Sequence, residues 1–257
     1  MGYGLEDYRR FLVPLRKVYK GAVVLFSDAR GDALALCQAL SAQVRELPLE
    51  SALGVRGNRY VGYDQVCADY DACLATDFRD VVFQDDPFSA LPGGFGVEGG
   101  YQLVLTQEYA AVRIRDCKHN RNWLGTCWGY DWVDSIAENG IICSGTILGT
   151  PAGFRLLRKV MLAEMAVSAS KGPACTARDQ GHLNYVYLTH KLAHERVFVE
   201  QQGRGIMNTV GYIPEKDIGR HLNAEGLIVN YDASVSPVVH QYDRFPQLAP
   251  LVYRLSH

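Results

Sequence analysis

Ala72-Cys-Leu-Ala-Thr-Asp-Phe-Arg-Asp-Val-Val-Phe-Gln-Asp-Asp-Pro-Phe88 is the stretch on which the reading of this chain turns. A short apolar run stops at Thr76-Asp77. Asp80 follows, a second apolar run comes next, and Pro87-Phe88 ends it. A buried strand that delivers two carboxylates at its carboxyl end offers oxygen ligands to a hard cation such as Mg²⁺ or Mn²⁺. A phosphate does not approach bare carboxylates without such a cation. Carboxylates at a strand tip also suit the ligand crevice of an open α/β sheet.

Working outward, the rest of the chain has the pattern of strands alternating with helices. Ala22–Phe26 is a fully apolar run, read as a buried parallel strand, and Asp32 caps the helix after it. A second strand covers about Gln43 to Leu47. A helix over Tyr60–Tyr70 leads into a strand at Ala72–Thr76. Upstream, Leu5, Tyr8, Leu12, Leu15 and Tyr19 share a helical face that Pro14 should bend or interrupt. Downstream, Tyr101–Thr106 reads as a strand, Arg113–Thr126 as polar and irregular, and Trp128–Ala137 as a helix. Gly140–Gly149 reads as strand, interruption, strand. Thr150-Pro151 opens a long helix striped with Phe154, Leu157, Met161 and Met165, which Gly172-Pro173 stops. Thr176 caps a further helix, and short strands follow near Glu195–Val199, Leu227–Asn230 and Val238–His240. The expected fold class is α/β, one domain over residues 1–257 with a mostly parallel central sheet flanked by helices.

Four strands end in polar residues: Ser27-Asp28, Thr76-Asp77, Thr106-Gln107-Glu108 and Ser144-Gly145. Parallel neighbours would gather these tips at one cleft.

The composition excludes several classes. The chain has 257 residues, 48% hydrophobic and 21% charged, with a formal net charge of −2. That is enough apolar material for a sizeable core, and it gives no bulk attraction for nucleic acid. No run approaches eighteen apolar residues, so no membrane span is expected, and Met1 to Arg10 is not a secretory signal. Seven cysteines lack any Cys-x-x-Cys spacing, which argues against a zinc knuckle. Cys37, Cys73 and Cys143 read as small buried hydrophobes. Cys67 with Cys73, or Cys117 with Cys127, remain open as disulfides.

Thr76–Phe88 resembles the metal-binding segment of nucleotide-sugar glycosyltransferases of the GT-A fold, in which an Asp-x-Asp holds Mn²⁺ on the donor diphosphate. Cys143-Ser-Gly-Thr-Ile-Leu-Gly149 is similar to their Asn-Ser-Gly segment, and Asp179-Gln-Gly-His-Leu-Asn184 to their Asp-Gln-x-x-Leu-Asn segment. Val239-His-Gln-Tyr-Asp-Arg244 resembles their late histidine segment. The four stand in the family order. The resemblance implies a nucleotide-sugar donor, a glycan or glycoside acceptor and a divalent ion, Mn²⁺ or Mg²⁺. It implies Asp80 and His240 as metal ligands, with Asp77 nearer the ribose or a metal-bound water. It places Ser144, Gly145 and Gln180 at the donor and Asp179 as a catalytic carboxylate; Glu108, at the polar tip of the Tyr101–Thr106 strand, is a second catalytic candidate.

The chain departs from that pattern by stretching Asp-x-Asp to Asp77-x-x-Asp80. It also begins at or just after the family's first nucleotide-binding strand, with Gly2-Tyr3-Gly4, which implies an incomplete nucleotide site or a chain trimmed at its start. Such transferases are often lumenal and membrane-anchored. The competing readings are a non-catalytic nucleotide- or carbohydrate-binding domain, a nucleotidyltransferase and an aspartyl-nucleophile phosphatase. The last two lack their loops: Asp28-Ala-Arg-Gly-Asp32 is neither a glycine-rich basic phosphate loop nor Asp-x-Asp-x-Thr. Several plain roles compete with the functional ones. Asp179 fits a capping box begun by Thr176, Ser144-Gly145 a β-bulge, Asp85-Asp86 a solvated turn, and Arg113 to Arg121 a solvated basic loop that could instead steady a diphosphate. Trp123, Trp128 and Trp132 are either core or a sugar-stacking wall.

Overall fold

Helix α1 (Leu5–Val18) buries Tyr8, Phe11, Leu12, Pro14 and Leu15 along one face. Its first turn carries Glu6 and Asp7 and its last turn Arg16 and Lys17, a charge order that opposes the helix dipole. Pro14 lies inside this helix and does not interrupt it, which leaves a bend as the remaining form of the sequence expectation. The missing N–H costs one intrahelical bond, while the ring is buried with the apolar face. These observations come from a computed structural model that describes residues 2–49, 54–172, 175 and 179–257.

The chain divides into two compact units. The first comprises residues 1–46, 76–92 and 201–257. In it β1 (Val23–Phe26) pairs in parallel with β2 (Ala42–Arg45) across α2 (Gly31–Ala39). A second, three-stranded sheet has the order β4-β9-β8, from β4 (Val81–Phe83), β8 (Met207–Thr209) and β9 (Val238–His240). Here β4 runs antiparallel to β9 and β8 runs parallel to it. All nine of these short-strand residues are buried. Helix α1 packs on β4, where Phe11 meets Phe83 edge-on at 5.2 Å, and also against α8 (Ala249–Ser256).

The second unit comprises residues 47–75 and 93–200. Its four-stranded sheet has the order β3-β6-β5-β7, from β3 (Cys73–Thr76), β5 (Leu103–Gln107), β6 (Ile142–Gly149) and β7 (Val197–Glu200). Strand β5 is antiparallel to β6 and parallel to β7. The fold is therefore α/β, but its two larger sheets are mixed rather than mostly parallel. Apolar periodicity locates a strand without giving its direction, and the alternation of strands with helices does not force every neighbour to be parallel.

Helix α3 (Gly54–Cys67) and helix α6 (Pro151–Ala169) pack together over this sheet. The expected stripe of Phe154, Leu157, Met161 and Met165 is buried there with Leu103, Leu105, Ile147 and Leu183. Thr150 caps α6 as expected, accepting the Gly153 N–H at 3.1 Å.

Other expectations fail for local reasons. Residues 113–126 are not irregular: a 3₁₀ turn (Ile114–Asp116) leads into α4 (Lys118–Trp128), whose buried face holds Asn120, Leu124, Gly125 and Cys127. A polar helix with so narrow an apolar face gives little periodicity to detect. Helix α5 is short, Tyr130–Ser135. Near Leu227–Asn230 there are only isolated bridges, Leu222 to Ile228 and Val229 to Val235. Pro173 and Thr176, read as a helix stop and a cap, lie outside the described residues. The disulfide joins Cys127 to Cys175, and Cys67, Cys73 and Cys117 are free thiols. Cys37 and Cys143 are buried as expected, but Cys73 is only half-buried. Among the described residues no helix is long and apolar enough to cross a membrane.

Gly153 shows how tightly α6 meets the sheet. A Cβ there would overlap the backbone carbonyl oxygen of Gln102, the group that accepts the Thr150 N–H at 3.0 Å. Alanine is a better helix former than glycine by about 1 kcal/mol, but overpacking costs about 1–3 kcal/mol. Gly153→Ala is expected to be net destabilising, read as a lower urea midpoint at unchanged slope. An increased midpoint would mean that α6 docks less closely than described.

Candidate metal centre

His240 is the last residue of β9, and its strand neighbours place it. Val81 of β4 lies opposite on one side and Thr209 of β8 on the other. Its backbone is fixed by Val210 N–H donating to its carbonyl at 3.0 Å. The next residue, Gln241, adopts a left-handed conformation (φ 63°) and donates its N–H to the Asp80 carbonyl at 2.7 Å. The strand end is thus locked to the backbone of Asp80, one residue before β4.

That lock brings three side chains together. Nε2 of His240 lies 3.5 Å from Oδ2 of Asp80 and 3.6 Å from Oδ2 of Asp77. His240 is 2% exposed, while Asp80 and Asp77 are 23% and 38% exposed, so the group is buried on the histidine side and open on the carboxylate side. One ligand atom from each residue falls within 4.8 Å of the others, and this group can hold a metal ion. Around an octahedral cation with bonds of roughly 2.1 Å, ligand atoms sit about 3–4 Å apart. The observed separations match that spacing. They are also ion-pair distances when the imidazole is protonated.

Surrounding residues fix the three ligands. Nδ1 of His240 is 3.4 Å from the Thr209 hydroxyl, which orients the ring and leaves Nε2 facing the carboxylates. Phe78, between the two acids in sequence, is gripped by Tyr3, Tyr8 and Phe11 at ring distances of 4.9–5.0 Å. The Asp77-x-x-Asp80 turn is therefore anchored through its middle. Arg79 pairs with Asp243 at 3.9 Å, not with Asp80. Burial pushes the Tyr3 phenol pKa up, the neighbouring charges of Asp77 and Asp80 push it further, and the Arg79 charge opposes them. Asp85 and Asp86 form the expected turn, with Asp86 accepting the Phe88 N–H at 2.9 Å.

In the second unit a separate polar cluster gathers other sequence candidates. Strand β5 meets β6 with a register shift: Leu105 pairs with Ile147, whereas Thr106 pairs with Cys143. Ser144, Gly145 and Thr146 form the resulting bulge, so the expected interruption is a bulge within one strand. Gln180, on helix α7 (Asp179–Leu188), reaches into this place. Its Nε2 donates to Glu108 Oε1 at 3.2 Å and to Asn120 Oδ1 at 3.1 Å. Its Oε1 accepts the Ser144 N–H at 3.3 Å. Glu108 is 2% exposed. Asn184, one turn along α7, mimics a strand by bonding both the N–H and the carbonyl of Ile142 at 2.8 Å. Asp179 turns away and pairs with Arg59 at 3.1 Å.

The polar strand ends do not meet at one parallel edge. The β5 tip reaches Ser144 because β6 is antiparallel to it, and Ser27 belongs to a different sheet, bonded to Tyr8. Trp128 is a packing residue, stacked on Tyr185 at 4.0 Å and donating to Glu164 at 3.1 Å, with Trp132 edge-on to the same tyrosine. Trp123 stands beside His119 at 5.8 Å. Lys118, His119 and Arg121 line a cavity of about 310 Å³ with Asn122 and Tyr130. Sequence reading missed Thr209, on a strand too short to detect, and Asn120, in a segment read as irregular.

No protein-family model matches the chain, and no curated protein matches it.

If the three residues form a metal site, Mn²⁺ binds with about one ion per chain, measured by loss of the free-ion EPR signal on titration. Asp80→Asn is expected to weaken binding by more than 100-fold. Thr209→Val, which leaves every ligand in place, is expected to cost about 10-fold, the lower end for loss of a partner that orients a ligand. Unchanged binding in Asp80→Asn would remove Asp80 from the site.

Proposed function

We propose that the chain is a nucleotide-sugar glycosyltransferase that works with a divalent metal. The observation that carries this reading is the joining of Asp77, Asp80 and His240 into one group, because the sequence segments that supply them, Thr76–Phe88 and Val239–Arg244, are those that resemble the GT-A family. A ligand set of two carboxylate oxygens and one imidazole nitrogen suits Mn²⁺ better than Mg²⁺, which prefers oxygen alone. A cation held by these residues would supply charge stabilisation for the departing nucleoside diphosphate. Asp80 and Asp77 supply the anionic side of the site, and His240 holds its buried side.

Acceptor activation is a separate assignment within this proposal. An inverting enzyme needs a carboxylate to take the proton of the acceptor hydroxyl. The sequence candidates for that role are Asp179, which pairs with Arg59, and Glu108, which accepts from Gln180.

The test is a donor-hydrolysis screen across nucleotide sugars with Mn²⁺ present or chelated. At least one donor is expected to turn over with Mn²⁺, and turnover is expected to vanish with chelator and in Asp80→Ala. Circular dichroism of Asp80→Ala should match the parent. The rival reading, a binding domain without catalysis, predicts a different result. A nucleoside diphosphate at a hundred times its Kd would stabilise the protein by about 2.7 kcal/mol, seen as a Mn²⁺-dependent thermal shift, with no product from any donor. Wild-type hydrolysis in Asp80→Ala would contradict the transferase assignment as stated.

A further inference from the structure

The cavity in the second unit lies outside everything assigned above. Lys118, His119, Arg121 and Asn122 of α4 line it, with Tyr130 at the start of α5. Two glycines shape its wall. Gly129, with φ 91°, turns the chain between α4 and α5. Gly125 bares the helix surface, since a Cβ there would overlap the Tyr130 ring. The ring therefore lies directly against α4. Its hydroxyl donates to Asn122 Oδ1 at 3.0 Å, and the Arg121 guanidinium sits 5.3 Å from the ring centre. Asp134 of α5 holds the same guanidinium at 2.7 Å. Arg121, Asn122 and Tyr130 are thus fixed to one another before any ligand arrives.

The wall offers mainly donors. Lys118 and Arg121 are cationic and have no acceptor atom in their side chains. Asn122 uses its carbonyl oxygen on Tyr130, which leaves its amide N–H groups to donate. Among the described residues no carboxylate lines the cavity, and Lys118 enters no ion pair. The one acid bound to Arg121 is 60% exposed, so that pair is weak and compatible with a second anion. The first turn of α4 carries no acid and instead holds Lys118 and His119. A helix dipole disfavours cations at that end, so this placement works against the helix and in favour of a bound anion. A volume of about 310 Å³ stands at the small end of ligand sites.

We infer that this cavity binds a phosphate monoester group, independently of the metal centre and of the transferase reading. Such a group carries close to two negative charges at neutral pH and three terminal oxygens. Lys118 and Arg121 match the charge, Lys118 as a point charge and Arg121 as a planar fork. Asn122 and the His119 ring N–H supply further donors. A carboxylate, with one charge and two oxygens, would leave part of this wall unused.

The test titrates the full chain, in phosphate-free buffer with a metal chelator, into inorganic phosphate or a hexose 6-phosphate and follows ³¹P line broadening. The chelator removes any route through a cation at Asp77, Asp80 and His240. Saturable broadening is expected for at least one probe, and the tighter of the two identifies free phosphate or a phosphorylated sugar as the source. Lys118→Gln is expected to weaken binding about 10-fold. Asn122→Asp keeps the acceptor for Tyr130 but adds a negative charge, and is expected to weaken it at least about 10-fold. Lys159→Gln removes an exposed charge of α6 away from the cavity lining and is expected to change nothing. A hexuronate at equal concentration is expected not to displace the phosphate probe. Absence of saturable broadening with both probes would overturn the inference. So would equal losses in Lys118→Gln and Lys159→Gln, unchanged binding in Asn122→Asp, or displacement by the hexuronate.

Discussion

Val81 lies opposite His240 across an antiparallel strand pair, and the Gln241 N–H is bonded to the Asp80 carbonyl just before that pair begins. This register is the constraint on which the candidate centre rests. It joins a segment near the first third of the chain to one near its end. It sets the imidazole at the same height as the two acids. Because side chains on a strand alternate between faces, a one-residue slip would turn His240 to the opposite side and separate it from them. All three residues of each strand are buried, so the register is fixed by apolar packing on both faces rather than by the polar residues it positions.

The stretched acidic motif fits the same geometry. In Asp77-Phe78-Arg79-Asp80 the two acids are three residues apart, and an extended chain would hold their carboxylates far from one another. The turn at Phe78 and Arg79 brings both to within 3.6 Å of one nitrogen, with Phe78 clamped by three aromatic rings. The Tyr242 hydroxyl donates to the Arg79 carbonyl at 2.9 Å and supports the turn from the late histidine segment. The sequence reading gave Asp77 a place near the ribose or a metal-bound water. The structure sets it as close to His240 as Asp80 is.

Much of this was legible in the residues. The carboxylates could be located because apolar runs stop abruptly at them, and the long helix α6 because its cap, proline and four-residue stripe agree. His240 was located through its motif and the apolar residues before it. Strand direction was not legible, since an apolar run reads the same in either direction, and the expected parallel sheet proved mixed. Gln180 and Glu108 could be named as candidates, but their direct bond, and the bonds of Gln180 to Asn120 and the β6 bulge, depend on tertiary packing that no local pattern encodes. Asp179 illustrates the converse: it stands beside Gln180 in sequence, yet its carboxylate belongs to Arg59.

The central claim is that His240 and the two acids share one cation. Pulsed EPR of bound Mn²⁺ reports directly on its nitrogen ligands. The account predicts nitrogen modulation from a single imidazole, altered by ¹⁵N-histidine labelling and absent in His240→Gln. Bound Mn²⁺ with no nitrogen modulation, or modulation that persists in His240→Gln, would contradict it.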